Sequence, residues 1–164
     1  MAIQTLFKSQ LTDIDSSARD TLGAVRFENN KFYKYMEIKN TTATVAGVAG
    51  DPVAFFAATG YSSHRAVIDL SDADTIPVCC GFLMGSVTGT SGTSYYGWVQ
   101  LTGPVAIPTA ITNGVVGNPV YLTTTDKTLA KSVEADSAAA YKKNVGVELT
   151  ATAANNVIMA DISF

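Results

Sequence analysis

Few side chains in this sequence could support catalysis. The 164 residues include one histidine, His64, which follows Ser62 and Ser63 and precedes Asp69. A hydrolytic triad needs a nucleophile, a base and an orienting carboxylate that converge in space, and closeness along the chain does not establish convergence. The sequence therefore favours a turn-exposed His64 over a catalytic one, and it predicts a protein that is not an enzyme.

The possible metal ligands do not form a recognisable set. Cys79 and Cys80 are adjacent, whereas zinc sites use cysteine or histidine pairs separated by a few residues. In a strand, two neighbouring side chains point to opposite faces, which predicts one buried cysteine and one that faces a second layer or a partner. Asp69, Asp72 and Asp74 lack the glycine and the distal glutamate of a calcium loop, so they predict a solvated turn. We expect no metal and no cofactor.

One aromatic cluster, Tyr95, Tyr96 and Trp98, lies in a strand-like segment. Such side chains could stack on sugar rings or anchor a protein interface, but they more often form the core of a sheet. Strand alternation places Tyr96 and Trp98 on one face and Tyr95 on the other. The pattern favours a core position for Trp98 and leaves sugar binding as an alternative.

The elements that would position these side chains are organised around a repeated motif. Residues 47–53 and residues 114–120 both follow the pattern G-V-x-G-[DN]-P-V, at an offset of 67 residues. A proline after a glycine turn suits the first residue of a strand, because that position needs no hydrogen-bond donor. Gly81 and Gly146 precede a second pair of equivalent segments, 65 residues apart. The repeat predicts loops that lead into strands in two related sheet units.

The remaining patterns also indicate short strands. Asn29-Asn30 joins two strand-like segments and predicts a hairpin, because asparagine tolerates the positive φ of a type I′ turn. Residues 85–94, rich in Gly, Ser and Thr, predict a flexible loop. Residues 134–143 could form a short helix, and Gly103-Pro104 is expected to interrupt the chain. The expected fold is all-β, a β-sandwich or β-barrel of short strands with an internal repeat and an extended N-terminal arm.

Composition excludes several classes of function. Charged residues make up 15% of the chain, the net charge is −3 and the isoelectric point is about 5.0, which argues against binding of nucleic acid. The longest apolar run, residues 53–58, is far shorter than the roughly 20 residues that span a membrane. No targeting segment is apparent, so we expect synthesis in a cytoplasm.

We expect residues 1–20 to form the N-terminal arm and residues 21–164 to form one β domain, built from units at about 23–94 and 95–164. The arm could be a frayed terminus or could dock on a neighbouring subunit. Its spaced apolar side chains are the candidate contacts with a subunit or a capsid: Ile3, Leu6, Phe7 and Leu11.

Several segments together resemble a known layout. They are residues 21–25, 31–35 and 39–40, the first repeated loop, Gly97-Trp98-Val99-Gln100 with Gly103, and Val145-Gly146-Val147. This layout is similar to that of the small proteins that decorate, or cement, the heads of tailed bacteriophages, and the similarity covers most of residues 20–162. It implies a β-rich homo-oligomer, a dimer or trimer, that binds the major capsid protein on the outside of the virion and bridges its subunits. A carbohydrate-binding or receptor-binding module of a phage tail or fibre is the alternative.

Overall fold

The computed structural model describes residues 6–56, 64–73, 77–131, 144–150 and 156–162. Strands account for 47% of the described residues, which contain no α-helix, and this confirms the all-β prediction. The strands are β1 (Ile14–Asp15), β2 (Val25–Glu28), β3 (Lys31–Ile38), β4 (Pro52–Phe55), β5 (Arg65–Val67), β6 (Cys79–Leu83), β7 (Tyr95–Gln100), β8 (Thr102–Ile107), β9 (Pro119–Leu122), β10 (Leu129–Lys131), β11 (Asn144–Thr150) and β12 (Asn156–Asp161). A 3₁₀ turn spans Leu70–Asp72. The expected helix at 134–143 lies outside the described residues.

Five strands close into a barrel, which we call the first barrel. They follow the order β3-β7-β6-β4-β5, and β5 returns to β3 through a parallel pairing that matches Glu37 with Arg65. Strand β2 extends β3 as a hairpin, and β1 lies beside β7. The hairpin prediction is confirmed, since Asn29 and Asn30 have φ values of 51° and 60°. Closure removes most of the free sheet edges from this half of the chain.

The remaining five strands repeat this arrangement, and we call them the second sheet. Their order, β8-β12-β11-β9-β10, matches that of the first barrel strand for strand. A parallel bridge between Thr112 and Ala130 occupies the place of the β3–β5 closure. The predicted internal repeat therefore extends to a complete five-strand topology. Strand β7, which the sequence-based division at residue 95 assigns to the second unit, lies in the first barrel, and the two sheets meet at Leu101.

The repeated motif has the same geometry in both units. Pro52 opens β4 and Pro119 opens β9, as predicted. Gly50 N–H donates to Leu83 O and Gly117 N–H donates to Glu148 O, each at 2.8 Å. Both glycines have a left-handed backbone, with φ values of 91° and 84°, where a side chain would be strained. The motif is thus a turn that leads into a strand and is hydrogen-bonded to the antiparallel neighbour of that strand.

The core consists of layers. Met36, Val53 and Val99 fill the inside of the first barrel, and Phe82 packs outside it against the inner face of the second sheet. Fully burying each large apolar side chain contributes about 1.5–3 kcal/mol to stability. Cys80 lies inside the barrel and Cys79 faces the second sheet, so the predicted division of the two cysteines is confirmed. Burial raises the pKa of the Cys80 thiol well above its usual range, and the neighbouring Cys79 adds to this effect.

One sequence-based expectation about the loops is wrong, and another is confirmed only in part, since no strand spans residues 85–94 but the flexibility of that loop stays a prediction. Gly103 and Pro104 do not interrupt the chain but lie within β8, which forms an edge of the second sheet and so tolerates the missing donor of proline. The loop at 85–94 is held by hydrogen bonds, because Asn40 Nδ2 donates to Gly89 O and Gly92 N–H donates to Asn40 O. The buried Asn40 amide supplies partners that sequence reasoning did not assign to this loop.

Candidate functional site

The N-terminal segment, residues 6–20, lies on the outer face of β3 and β7. The ring of Phe7 meets Trp98 edge to face, with centroids 5.1 Å apart, and Leu11 packs against the same aromatic cluster. Trp98 is fully buried, as predicted. Leu6 is 85% exposed, and Ile3 lies outside the described residues. The described part of the segment is therefore not the expected extended arm, because the aromatic face of its own barrel gives Phe7 and Leu11 a place to pack.

Polar contacts fix this segment through Ser9. The Trp98 Nε1–H donates to Ser9 Oγ at 2.9 Å, and that hydroxyl donates to the carboxylate of Asp20. Asp20 also accepts the backbone N–H groups of Lys8 at 2.9 Å and Ser9 at 3.1 Å. We call these contacts the N-terminal clasp. Desolvation raises the pKa of Asp20, but the hydrogen bonds from Lys8 and Ser9 outweigh it, so the net pKa lies below its ordinary value.

Arg26 completes the clasp from β2. Its guanidinium carbon lies 5.5 Å from the centroid of the Phe7 ring and 5.9 Å from that of Trp98, within the range of cation–π attraction. Its Nη1 donates to Ser9 O at 3.3 Å, and its Nη2 pairs with Glu28. Beside these side chains lies an open groove of about 440 Å³, lined by residues 6–10 and Arg26. The groove contains two cations but no described pair of groups suited to general acid–base catalysis.

The polar side chains considered for chemistry have structural roles. His64 is exposed, and its ring covers the α-carbon of Gly23. Burial lowers the pKa of His64, and the positive charge of Lys34 lowers it further. The prediction of a turn-exposed histidine is confirmed.

Asp69 and Asp72 do not lie in a solvated turn, as the sequence suggested, but are buried. Asp72 accepts the hydroxyl of Thr41 at 2.5 Å and that of Thr42 at 2.6 Å, and Asp69 accepts Ala43 N–H at 2.8 Å. Desolvation raises the pKa of Asp72, but the hydrogen bonds from Thr41 and Thr42 outweigh it and the net pKa is lowered. These carboxylates anchor the loop after β3. Asp74 lies outside the described residues, which contain no cluster of three potential metal ligands.

Exposed apolar side chains form two surfaces instead. The first, which we call the hairpin patch, consists of Val25, Phe27 and Phe32 on the β2–β3 hairpin, with the two phenylalanine centroids 4.9 Å apart. The second lies on the outside of the second sheet, where Val147, Leu149 and Met159 are exposed. Large apolar patches on a protein surface commonly mark interaction sites. Sequence reasoning missed both surfaces, since alternation predicts which residues share a face but does not show which face stays uncovered.

Comparison with known proteins does not indicate a function for this chain. No protein-family model matches the chain, and a search of curated proteins finds no significantly similar sequence. Within the described part of the chain, no helix has the length and apolarity required to traverse a membrane. The two apolar surfaces and the N-terminal clasp are therefore the features from which a function can be argued.

Proposed function

We propose that this chain is a viral structural protein of the kind that decorates the heads of tailed bacteriophages. It is made in the host cytoplasm, binds the outside of the capsid shell and stabilises the shell by bridging major capsid subunits. It also associates with itself, and it needs no enzymatic activity, cofactor, nucleic acid or membrane for this role. The proposal rests on the resemblance in the sequence and on the apolar surfaces that the fold leaves exposed.

The observation that carries the proposal is the presence of an exposed apolar surface on each of the two units. A protein that bridges subunits must make at least two contacts, because a second contact within one assembly gains from high effective concentration. The hairpin patch lies on the first unit, and the exposed residues of β11 and β12 lie on the second. If the second surface binds another copy of the chain, the assembly presents two hairpin patches to the shell. The described carboxylates near the loops anchor backbone rather than line a shared pocket, which suits adhesion better than catalysis.

The hairpin patch is our candidate for the shell contact. Phe27 is 61% exposed and Phe32 is 45% exposed, although they are large aromatic side chains. Aromatic side chains are enriched among the residues that dominate binding energy at protein interfaces. Strand β2 also pairs on one side only, so its outer edge could accept a strand from another protein.

The position of Trp98 argues against the carbohydrate-binding alternative. Trp98 is fully buried beneath Phe7 and its indole N–H is already bonded to Ser9 Oγ. Stacking on a sugar ring requires an accessible aromatic face, which Trp98 does not provide. Tyr95 remains partly exposed, but its hydroxyl is paired with Thr88.

Cosedimentation with intact shells tests the proposed function. The purified chain is mixed with heads of the phage that encodes it, from which the protein has been stripped, and the pellets are imaged by electron cryo-microscopy. We expect saturable binding and regular density on the head lattice. Phe27→Ser should weaken binding, whereas Val116→Ser, which removes an exposed apolar side chain from a loop of the second unit, should not. A chain that remains in the supernatant and leaves the lattice bare would refute the proposal.

A further inference from the structure

The outward side chains of the second sheet form a broad apolar surface, which we call the outer sheet face. In register across neighbouring strands, Met159 of β12 is matched with Pro104 of β8 and with Val147 of β11, and Val147 is matched with Pro119 of β9. Val147, Leu149 and Met159 are 39%, 41% and 43% exposed. The members of the face are Pro104, Ala106, Pro119, Tyr121, Val147, Leu149, Val157 and Met159, with the matched pair Thr102 and Asp161 as polar residues at one end.

The duplicated topology allows the outer sheet face to be compared with the equivalent face of the first barrel. Because Gly81 and Gly146 hold equivalent places, the matched pair Val147 and Met159 corresponds to Phe82 and Gln100 of the first barrel. Phe82 is completely buried and Gln100 is 2% exposed, because the second sheet covers that side of the barrel. The equivalent pair in the second unit is apolar yet uncovered. Among the described residues, one unit thus has a β-layer over this face, and the other does not.

The other broad outer face of the first barrel is covered as well. There, Tyr35 and Trp98 lie beneath residues 6–20 of the N-terminal segment. Within the described residues, each wide apolar face of the first barrel is thus covered by another part of the same chain. An uncovered apolar sheet face also exposes apolar surface to water at a cost of about 25 cal/mol per Å². These comparisons indicate that the outer sheet face is built to be covered by a β-layer.

We propose that a second copy of this chain covers the outer sheet face, and that the two copies meet through the same face about a twofold axis. The intrachain interface shows that a sheet of this architecture can form the covering layer. The inner face of the second sheet is already filled by Phe82 and its neighbours, so the second copy must offer its outer face. Two antiparallel sheets can pack face to face in this manner, and a self-complementary patch produces a closed dimer.

The charge of the face fits self-association. Strands β8, β9, β11 and β12 contain no lysine or arginine, and the Lys31 ammonium, which donates to Pro104 O, lies at the β8 edge of the sheet. Among the described residues, the centre of the face therefore offers no cation to a nucleic acid or an acidic partner. Glu148 of β11 points into the core, and Asp161 lies at the end of its strand. A twofold contact therefore brings no like charges together at its centre, where a buried, unpaired charge would be costly. Apolar contact at the centre and charge at the rim are the usual anatomy of a protein interface.

Analytical ultracentrifugation tests the inference on the purified chain at about 1–100 µM, the range expected for an interface of modest area. The wild-type protein should form dimers. Met159→Lys should weaken association at least about tenfold, because it places a like charge on both copies within an apolar contact. Phe27→Lys on the hairpin patch is the matched control and should leave the dimer unchanged. If Met159→Lys does not fold, as judged by circular dichroism, Ala106→Lys serves in its place.

A cross-linking experiment locates the contact. Cys79 and Cys80 are buried, so an accessible thiol can be introduced by Met159→Cys, and mild oxidation should then produce a covalent dimer. A monomeric wild-type protein over the whole range, a dimer that is unaffected by charge on the face, or a trimer as the smallest assembly would each overturn the inference. The inference gives a surface to the self-association included in the proposed function. Ultracentrifugation and cross-linking use the purified chain without shells, so they test the dimer separately from shell binding. A chain that is monomeric in these experiments but still binds shells would refute the dimer and not the proposed function.

Discussion

Replacing Glu148 with leucine tests the duplicated architecture in the part of the core where the two units differ most. Glu148 and Leu83 hold equivalent places, since each carbonyl accepts the glycine N–H of its repeated turn. A Cβ added to Gly47 would lie 2.5 Å from Leu83 Cδ1, and one added to Gly114 would lie 2.6 Å from Glu148 Oε2. The second unit thus holds a carboxyl group where the first holds an apolar side chain.

The expected gain follows from the surroundings of that carboxyl group. Glu148 is 1% exposed, and its Oε2 has no hydrogen-bond partner among the described residues. An unsatisfied buried polar group costs about 1–3 kcal/mol, so Glu148→Leu should raise the free energy of unfolding by about that amount. For a chain of this length, each kcal/mol corresponds to about 2–4 °C in Tm. Thermal and urea unfolding, followed by circular dichroism, measure the change.

Matched variants make the result decisive. Leu83→Glu places a carboxyl group in the equivalent site of the first barrel and should lower stability by more than about 3 kcal/mol. Glu148→Gln keeps a polar group in the cavity, so its gain should be smaller than that of Glu148→Leu. A fall in stability for Glu148→Leu would refute the reasoning, because it would mean that the carboxyl group stabilises the second unit through a partner.

Three further predictions concern the N-terminal clasp and the hairpin. Ser9→Ala should destabilise the protein by about 1–3 kcal/mol, because it leaves the buried Trp98 N–H without its acceptor. Since Trp98 is the single tryptophan, its fluorescence emission can follow unfolding directly. An unchanged stability would contradict the prediction. The pKa of Asp20 is lowered in the folded protein, so its contribution to stability is present above the ordinary pKa of 3.8 and is lost as pH falls through the lower pKa of the folded state. The difference in stability between wild type and Asp20→Asn should therefore shrink below about pH 4. A difference that does not depend on pH would argue against the role of the carboxylate. Asn30→Gly should stabilise the type I′ turn, whereas Asn30→Val should cost about 1–2 kcal/mol, which denaturant titration can check; equal stabilities would mean that the turn does not require its positive φ.

Local sequence patterns predicted the fold where local physics decides the outcome. Glycine and proline in the repeated motif identified turns that open β4 and β9, and Asn29-Asn30 identified the hairpin, because backbone conformation there depends on the residues themselves. The parallel return of β5 to β3 and the position of β7 could not be predicted in this way. They depend on pairings between distant segments, which leave no local signature.

The clasp and the apolar surfaces were harder to predict for the same reason. Val25 and Phe27 alternate with Arg26 in β2, and the usual interpretation buries the apolar pair. In the structure Arg26 faces the aromatic rings of Phe7 and Trp98, while Val25 and Phe27 face outward. Phe7 was identified as a contact residue from its apolar character alone, but its described partner lies in the same chain. Alternation establishes which residues share a face, and only the tertiary arrangement shows what covers it.

The duplication also gives a physical reason to expect assembly. Within the folded chain, the second sheet covers an outer face of the first barrel, as the burial of Phe82 shows. Among the described residues, no strand packs over the corresponding face of the second unit. Its corresponding residues, Val147 and Met159, nevertheless remain apolar, although polar side chains there would raise solubility without disturbing the core. Apolar side chains on a face that the described residues leave uncovered agree with the proposed dimer, since a second copy would remove them from water.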